Sequence, residues 1–156
     1  MLVRLLRRAL ATSHASTRLA ARGRLVPATE LVARFRGAQG GRTFALALTG
    51  EQVAALRALV QDEHGWLRLR ELVARAGDPW NADDWPDGFD PLVVCAALCD
   101  HVAFECARCP VGERQSGRSC AHPQTLFGSV LPMILRGDRT ALLEHLQTID
   151  AVLGDG

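Results

Sequence analysis

Five cysteines fall between residues 95 and 120 of a 156-residue chain, at Cys95, Cys99, Cys106, Cys109 and Cys120. Thiols so concentrated meet in one region whatever fold surrounds them. Cys99 is followed by six residues, Cys106, two residues and Cys109-Pro110, and ten more residues lead to Cys120. The number is odd, and no signal peptide is recognisable, because arginines interrupt the apolar stretch at the N-terminus. A disulfide framework belongs to short secreted chains. Thiolate ligands in a reducing compartment fit better, so the expected location is cytoplasmic, or the mitochondrial matrix if residues 1–26 form a transit peptide.

Thiolates bind soft and borderline metals, and a two-residue gap lets a turn aim two sulfurs at one centre. Cys106 and Cys109 form such a pair, with Pro110 stiffening the exit. Cys99 arrives from the end of an apolar helix, and Cys120 from the polar loop VGERQSGRS. The expected ligands are therefore Cys99, Cys106, Cys109 and Cys120, around a [4Fe–4S] cluster or a Zn2+ ion, with His122 as an alternative zinc ligand. Cys95, set among valine and alanine, reads as a small packing residue. His101 reads as a surface neighbour of the centre rather than a ligand.

Residues 99–120 resemble the iron–sulfur cluster loop of the endonuclease III and MutY type DNA glycosylases. In that family a helix end supplies the first cysteine and a short loop supplies the rest. The resemblance implies a [4Fe–4S] cluster on Cys99, Cys106, Cys109 and Cys120. The last gap is longer here than in the family, and no helix-hairpin-helix precedes the loop. The catalytic lysine of those enzymes has no counterpart, because the chain contains no lysine. What carries over is the cluster and not base excision.

The absence of lysine also excludes Schiff-base chemistry and a P-loop. No glycine-rich phosphate loop or nucleophile elbow is present. Cysteines engaged as ligands are not available as nucleophiles. A non-enzymatic role is expected.

Charge is unevenly placed. Residues 1–42 carry nine arginines and one acid, whereas residues 43–100 carry four arginines and ten acids. A basic N-terminal arm over residues 1–36 on a mildly acidic body over residues 42–156 follows. Arg4, Arg7, Arg8, Arg18, Arg22 and Arg24 suit a nucleic acid or an anionic membrane surface. No apolar run is long enough to span a bilayer.

The periodicity predicts a mainly α, small helical domain. Thr43–Leu48 (TFALAL) reads as a short strand. Thr49-Gly-Glu-Gln52 has the capping-box pattern and opens a helix with Val53, Leu56, Leu59 and Val60 on one face, ending at His64-Gly65. A short helix with Leu69, Leu72, Val73 and Ala76 follows and stops at Gly77. The Gly65-Trp66 turn before it is similar to the first half of a winged-helix unit. Trp80, Trp85 and Phe89 lie in a loop with five aspartates and are candidates for a protein contact. Asp90-Pro91 opens a buried helix over 91–105 that carries Cys95 and Cys99. TLFGSVLPMIL reads as helical with a break near Pro132, and Asp138 caps a last helix with Leu142, Leu146, Ile149 and Leu153 on its stripe.

The functional expectation is a small metal- or iron–sulfur-cluster-binding regulatory or accessory protein. Its alternatives are a winged-helix-like nucleic-acid-binding regulator that uses the arginine-rich arm, and a subunit of a larger assembly.

Overall fold

A computed structural model of the chain describes residues 25–75, 94–120 and 122–155. They form seven α-helices and one 3-10 turn, with no strand among the described residues. The helices are α1 (Ala28–Gly37), α2 (Arg42–Gln61), α3 (Glu63–Arg75), α4 (Ala96–His101), α5 (Pro110–Arg114), α6 (Val130–Arg136) and α7 (Arg139–Gly154), with the 3-10 turn at Cys106–Arg108 between α4 and α5.

Helix α2 is the centre of the fold and packs against α7, α4, α3 and α1. Its buried positions, Ala45, Leu48, Thr49, Gln52, Val53, Ala55, Leu56 and Val60, recur at helical spacing. By length and composition α2 is the one described helix apolar enough to cross a membrane, but in this fold it is the helix on which four others pack. The expected strand at 43–48 is therefore helix. Ala45 and Leu48 continue the stripe of the next two turns, and helix propagation costs less than a lone strand without a partner. Thr49 is not an N-cap but a mid-helix residue whose hydroxyl donates to the Ala45 carbonyl at 2.9 Å.

The expected end at His64-Gly65 moves to Asp62, whose extended backbone separates α2 from α3. The Asp62 carboxylate accepts the Gly65 N–H at 2.7 Å and so caps α3. Gly65 belongs to that first turn because a Cβ there would lie 2.5 Å from the Leu59 carbonyl oxygen. Arg139 closes the same corner, donating to the carbonyls of Val60 at 2.7 Å and Gln61 at 2.6 Å at the C-terminal end of α2.

Leu142, Leu146, Ile149 and Leu153 are buried on α7 as expected. Pro132 does not break α6, because it occupies the first turn, where its missing N–H has no helical partner. Helix α1, inside the expected arm, packs Leu31 and Phe35 inward, touches α4 and pairs Arg36 with Asp100. Among the described residues there is no wing of a winged helix, and the helical class alone is retained. The loop with Trp80, Trp85 and Phe89, the Asp90-Pro91 cap and the arginines from Arg4 to Arg24 lie outside the described residues.

Candidate metal centre

The cysteines sit at one corner of the fold on short elements. Cys95 is the N-cap of α4 and is 1 % exposed, surrounded by buried Val94, Ala96 and Leu98. Helix α4 is shorter than expected, so Cys95 precedes its first turn instead of lying in mid-helix. The Cys99 N–H donates to the Cys95 carbonyl at 3.0 Å, placing the two residues one turn apart on the same face. Cys109 is the residue before Pro110 at the start of α5 and is buried. Cys120 is also buried, and Cys99 is partly so. All five thiols are free.

Three of them meet at Cys95, and Cys109 lies near them with its sulfur bonded to its own backbone donors. The Cys99 thiol donates to the Cys95 sulfur at 3.8 Å. Hydrogen bonding with Cys120, then with Cys99, together with burial, raises the Cys95 pKa well above the usual thiol value. The same Cys95–Cys120 contact lowers the Cys120 pKa, against the effect of its burial, and Gln115 assists. The Gln115 side-chain amide donates to the Cys120 sulfur at 3.6 Å, while its carbonyl oxygen accepts the Leu126 N–H at 3.2 Å. Burial raises the Cys109 pKa, and the backbone N–H groups of Gly112 and Val111 oppose that rise by donating to its sulfur. Cys109 also feels the charges of Cys120 and Cys99.

Two glycines let the cysteine-bearing loops close. A Cβ at Gly112 would stand 1.8 Å from the Cys106 carbonyl oxygen, and one at Gly128 would stand 2.0 Å from that of His122. Thr125 ties the second loop: its hydroxyl lies 2.7 Å from the His122 carbonyl oxygen and accepts the Gly128 N–H at 3.1 Å.

Of the expected ligands, the structure places Cys99 and Cys120 each against Cys95, with Cys109 near them and bonded to its own backbone. Cys106 is half-buried in the 3-10 turn, and its thiol points to the Phe104 carbonyl at 3.8 Å. His122 is exposed, and its Nδ1 accepts the Gln124 N–H at 3.2 Å. His101 is exposed, with its ring edge-on to Phe35 at 5.9 Å. In sequence Cys95 reads as packing because its neighbours are apolar; the signal that points the other way is its four-residue spacing from Cys99 on one helical face. Gln115 carried no sequence signal. With the thiols in this hydrogen-bonded arrangement, no three His, Cys, Asp or Glu side chains among the described residues are grouped closely enough to hold a metal ion.

A serine–histidine contact, Ser129 with His145, is not an activated nucleophile. His145 Nε2 lies 2.6 Å from the Leu126 carbonyl and 2.8 Å from Ser129 Oγ. A carbonyl only accepts, so Nε2 carries the proton and cannot take one from the serine.

Comparison with protein-family models, with curated proteins and with solved structures finds no match to this chain.

Proposed function

We propose that this protein is a small metal-binding regulatory or accessory protein whose cysteine corner holds a thiolate-ligated centre. The observation that carries the reading is the gathering of four unpaired thiols at one largely buried corner, three of them in contact through Cys95 and Cys109 near them. Apolar packing alone does not need four adjacent thiols, and burial removes them from service as nucleophiles toward large substrates. Soft thiolates without carboxylates select zinc or iron–sulfur chemistry over calcium or magnesium. The backbone N–H groups at Cys109 and the Gln115 amide at Cys120 are donors of the kind that hold thiolate ligands in place.

Binding has to displace the thiol protons and turn the Cys109 sulfur from its backbone donors toward the other three, so affinity rises with pH. The test is elemental analysis of the purified protein with and without a Cys109→Ser, Cys120→Ser double substitution. The native chain is expected to carry stoichiometric metal and the double variant almost none. Full metal retention by that variant would falsify the reading.

A further inference from the structure

We infer that the centre is a single tetrahedral ion of the zinc type held by Cys95, Cys99, Cys109 and Cys120, with Cys106 outside the ligand set. The inference rests on the thiolate-centre reading above and specifies its nuclearity and ligands.

The spacing of the helical pair is the first argument. Four sulfurs at about 2.3 Å from a tetrahedral ion stand about 3.8 Å from one another. Cys95 and Cys99 already hold their sulfurs 3.8 Å apart, on a turn fixed by the Cys99 N–H to Cys95 carbonyl bond. A cubane cluster instead binds each cysteine through a different iron, and its inorganic core keeps those sulfurs well apart. Two sulfurs in contact on one helical turn match two vertices of a mononuclear site.

Burial is the second argument. Cys95 is 1 % exposed, with Val94, Ala97 and Leu98 buried around it, and its thiol hydrogen-bonds those of Cys99 and Cys120. There is little room to insert a multi-iron core without breaking that packing. A single ion displaces the thiol protons at Cys95, Cys99 and Cys120, draws Cys109 in as the fourth ligand, and disturbs that packing less than a cluster does.

Orientation is the third. The turn that carries Cys106 aims its thiol at the Phe104 carbonyl, and Ala103 and Phe104 both adopt left-handed backbone, at φ 51° and 62°, to make that turn. Redirecting Cys106 inward means rebuilding this turn. Cys109 needs only to exchange its contacts with the Val111 and Gly112 N–H groups for the ion.

The experiment loads the full chain with Zn2+ and, separately, Co2+ under anaerobic conditions, for the native protein, Cys106→Ser and Cys95→Ser. The native protein is expected to bind about one equivalent of zinc without acid-labile sulfide. Cys106→Ser should keep native stoichiometry and a native sulfur-to-cobalt charge-transfer band. Cys95→Ser should lose more than about tenfold in zinc affinity against a chromophoric chelator. If Cys95→Ser does not fold, the cobalt spectrum of Cys106→Ser decides: unchanged intensity supports the ligand set, and loss of one thiolate's share overturns it. Iron with acid-labile sulfide in protein purified anaerobically overturns the single-ion assignment while leaving the thiolate centre standing. A native chain that takes up no zinc, cobalt or iron overturns both.

Discussion

Helices α2 and α7 and the cysteine corner are built in different ways. Leu48, Val53 and Leu56 on α2 and Leu142, Leu146 and Ile149 on α7 are at most 1 % exposed, and both helices run for more than four turns. In residues 94–129 no helix exceeds six residues. There the chain is held by side-chain bonds from Gln115 and Thr125, by close backbone approaches at Gly112 and Gly128, and by non-glycine residues at positive φ, namely Ala103, Phe104 and Ser116. Each such residue costs on the order of 1 kcal/mol. The long helices hold together chiefly through apolar area, with Arg139 bonded to the Val60 and Gln61 carbonyls and Arg57 paired with Asp150 at 2.7 Å. The corner adds backbone strain to its apolar burial, and the proposed centre would cross-link it.

Perturbing each region separately sharpens that contrast. Leu146→Ala empties a fully buried site and should cost about 2–5 kcal/mol of unfolding free energy in a denaturant melt, with metal content per folded molecule unchanged. A fall in metal stoichiometry would show that the two regions are not independent. Gly128→Ala drives a methyl group into the His122 carbonyl and should cost about 1–3 kcal/mol, this time with loss of metal. A variant of native stability and native metal content would mean that the corner is plastic.

Gln115→Ala removes the amide from Cys120 and the acceptor from Leu126 N–H. It should lower zinc affinity by about tenfold and shift the melting temperature less than either substitution above. Calorimetric titration measures the first quantity, and unchanged affinity would remove Gln115 from the centre.

The smallest effect belongs to Arg36 and Asp100, which join α1 to α4 at 3.0 Å. Hydrogen bonding to Arg36 lowers the Asp100 pKa. The folded state therefore gains from the charged carboxylate at neutral pH, and that gain fades as pH falls below the ordinary aspartate value, about 3.9, toward the lowered one. Asp100→Asn should flatten this acid-side slope slightly in a series of melts and leave stability at high pH little changed. An unaltered slope would show that the pair is solvated and contributes nothing.

The two regions also differ in how far the sequence exposed them. Leu142, Leu146, Ile149 and Leu153 repeat at helical spacing over a whole helix, and each is buried where the period puts it. Thr43–Leu48 misled because its alternation of larger and smaller residues fits two periods over six positions. The stripe that decides between them continues through Thr49, Gln52, Val53 and Leu56. Polar residues at 49 and 52 disguised that continuation as a helix start. At the corner, the nearness of the cysteines follows from their clustering alone. The parts played by Cys95 and Cys106 do not, because they depend on where a six-residue helix begins and on two non-glycine residues with left-handed backbone. Local propensity carries little information about either.

Gln52 has a consequence for the segment before residue 25. Its buried amide donates to the Val26 carbonyl at 2.6 Å, and its carbonyl oxygen accepts the Val26 N–H at 3.3 Å. A side chain of α2 thus acts as a two-pronged buckle on the main chain, engaging it as a neighbouring strand would. Whatever the arginine-rich residues touch, they are tethered to a fixed point on the central helix. A load applied there is delivered to α2 at Gln52, and truncation before Leu25 spares the buckle while truncation at Ala28 removes it.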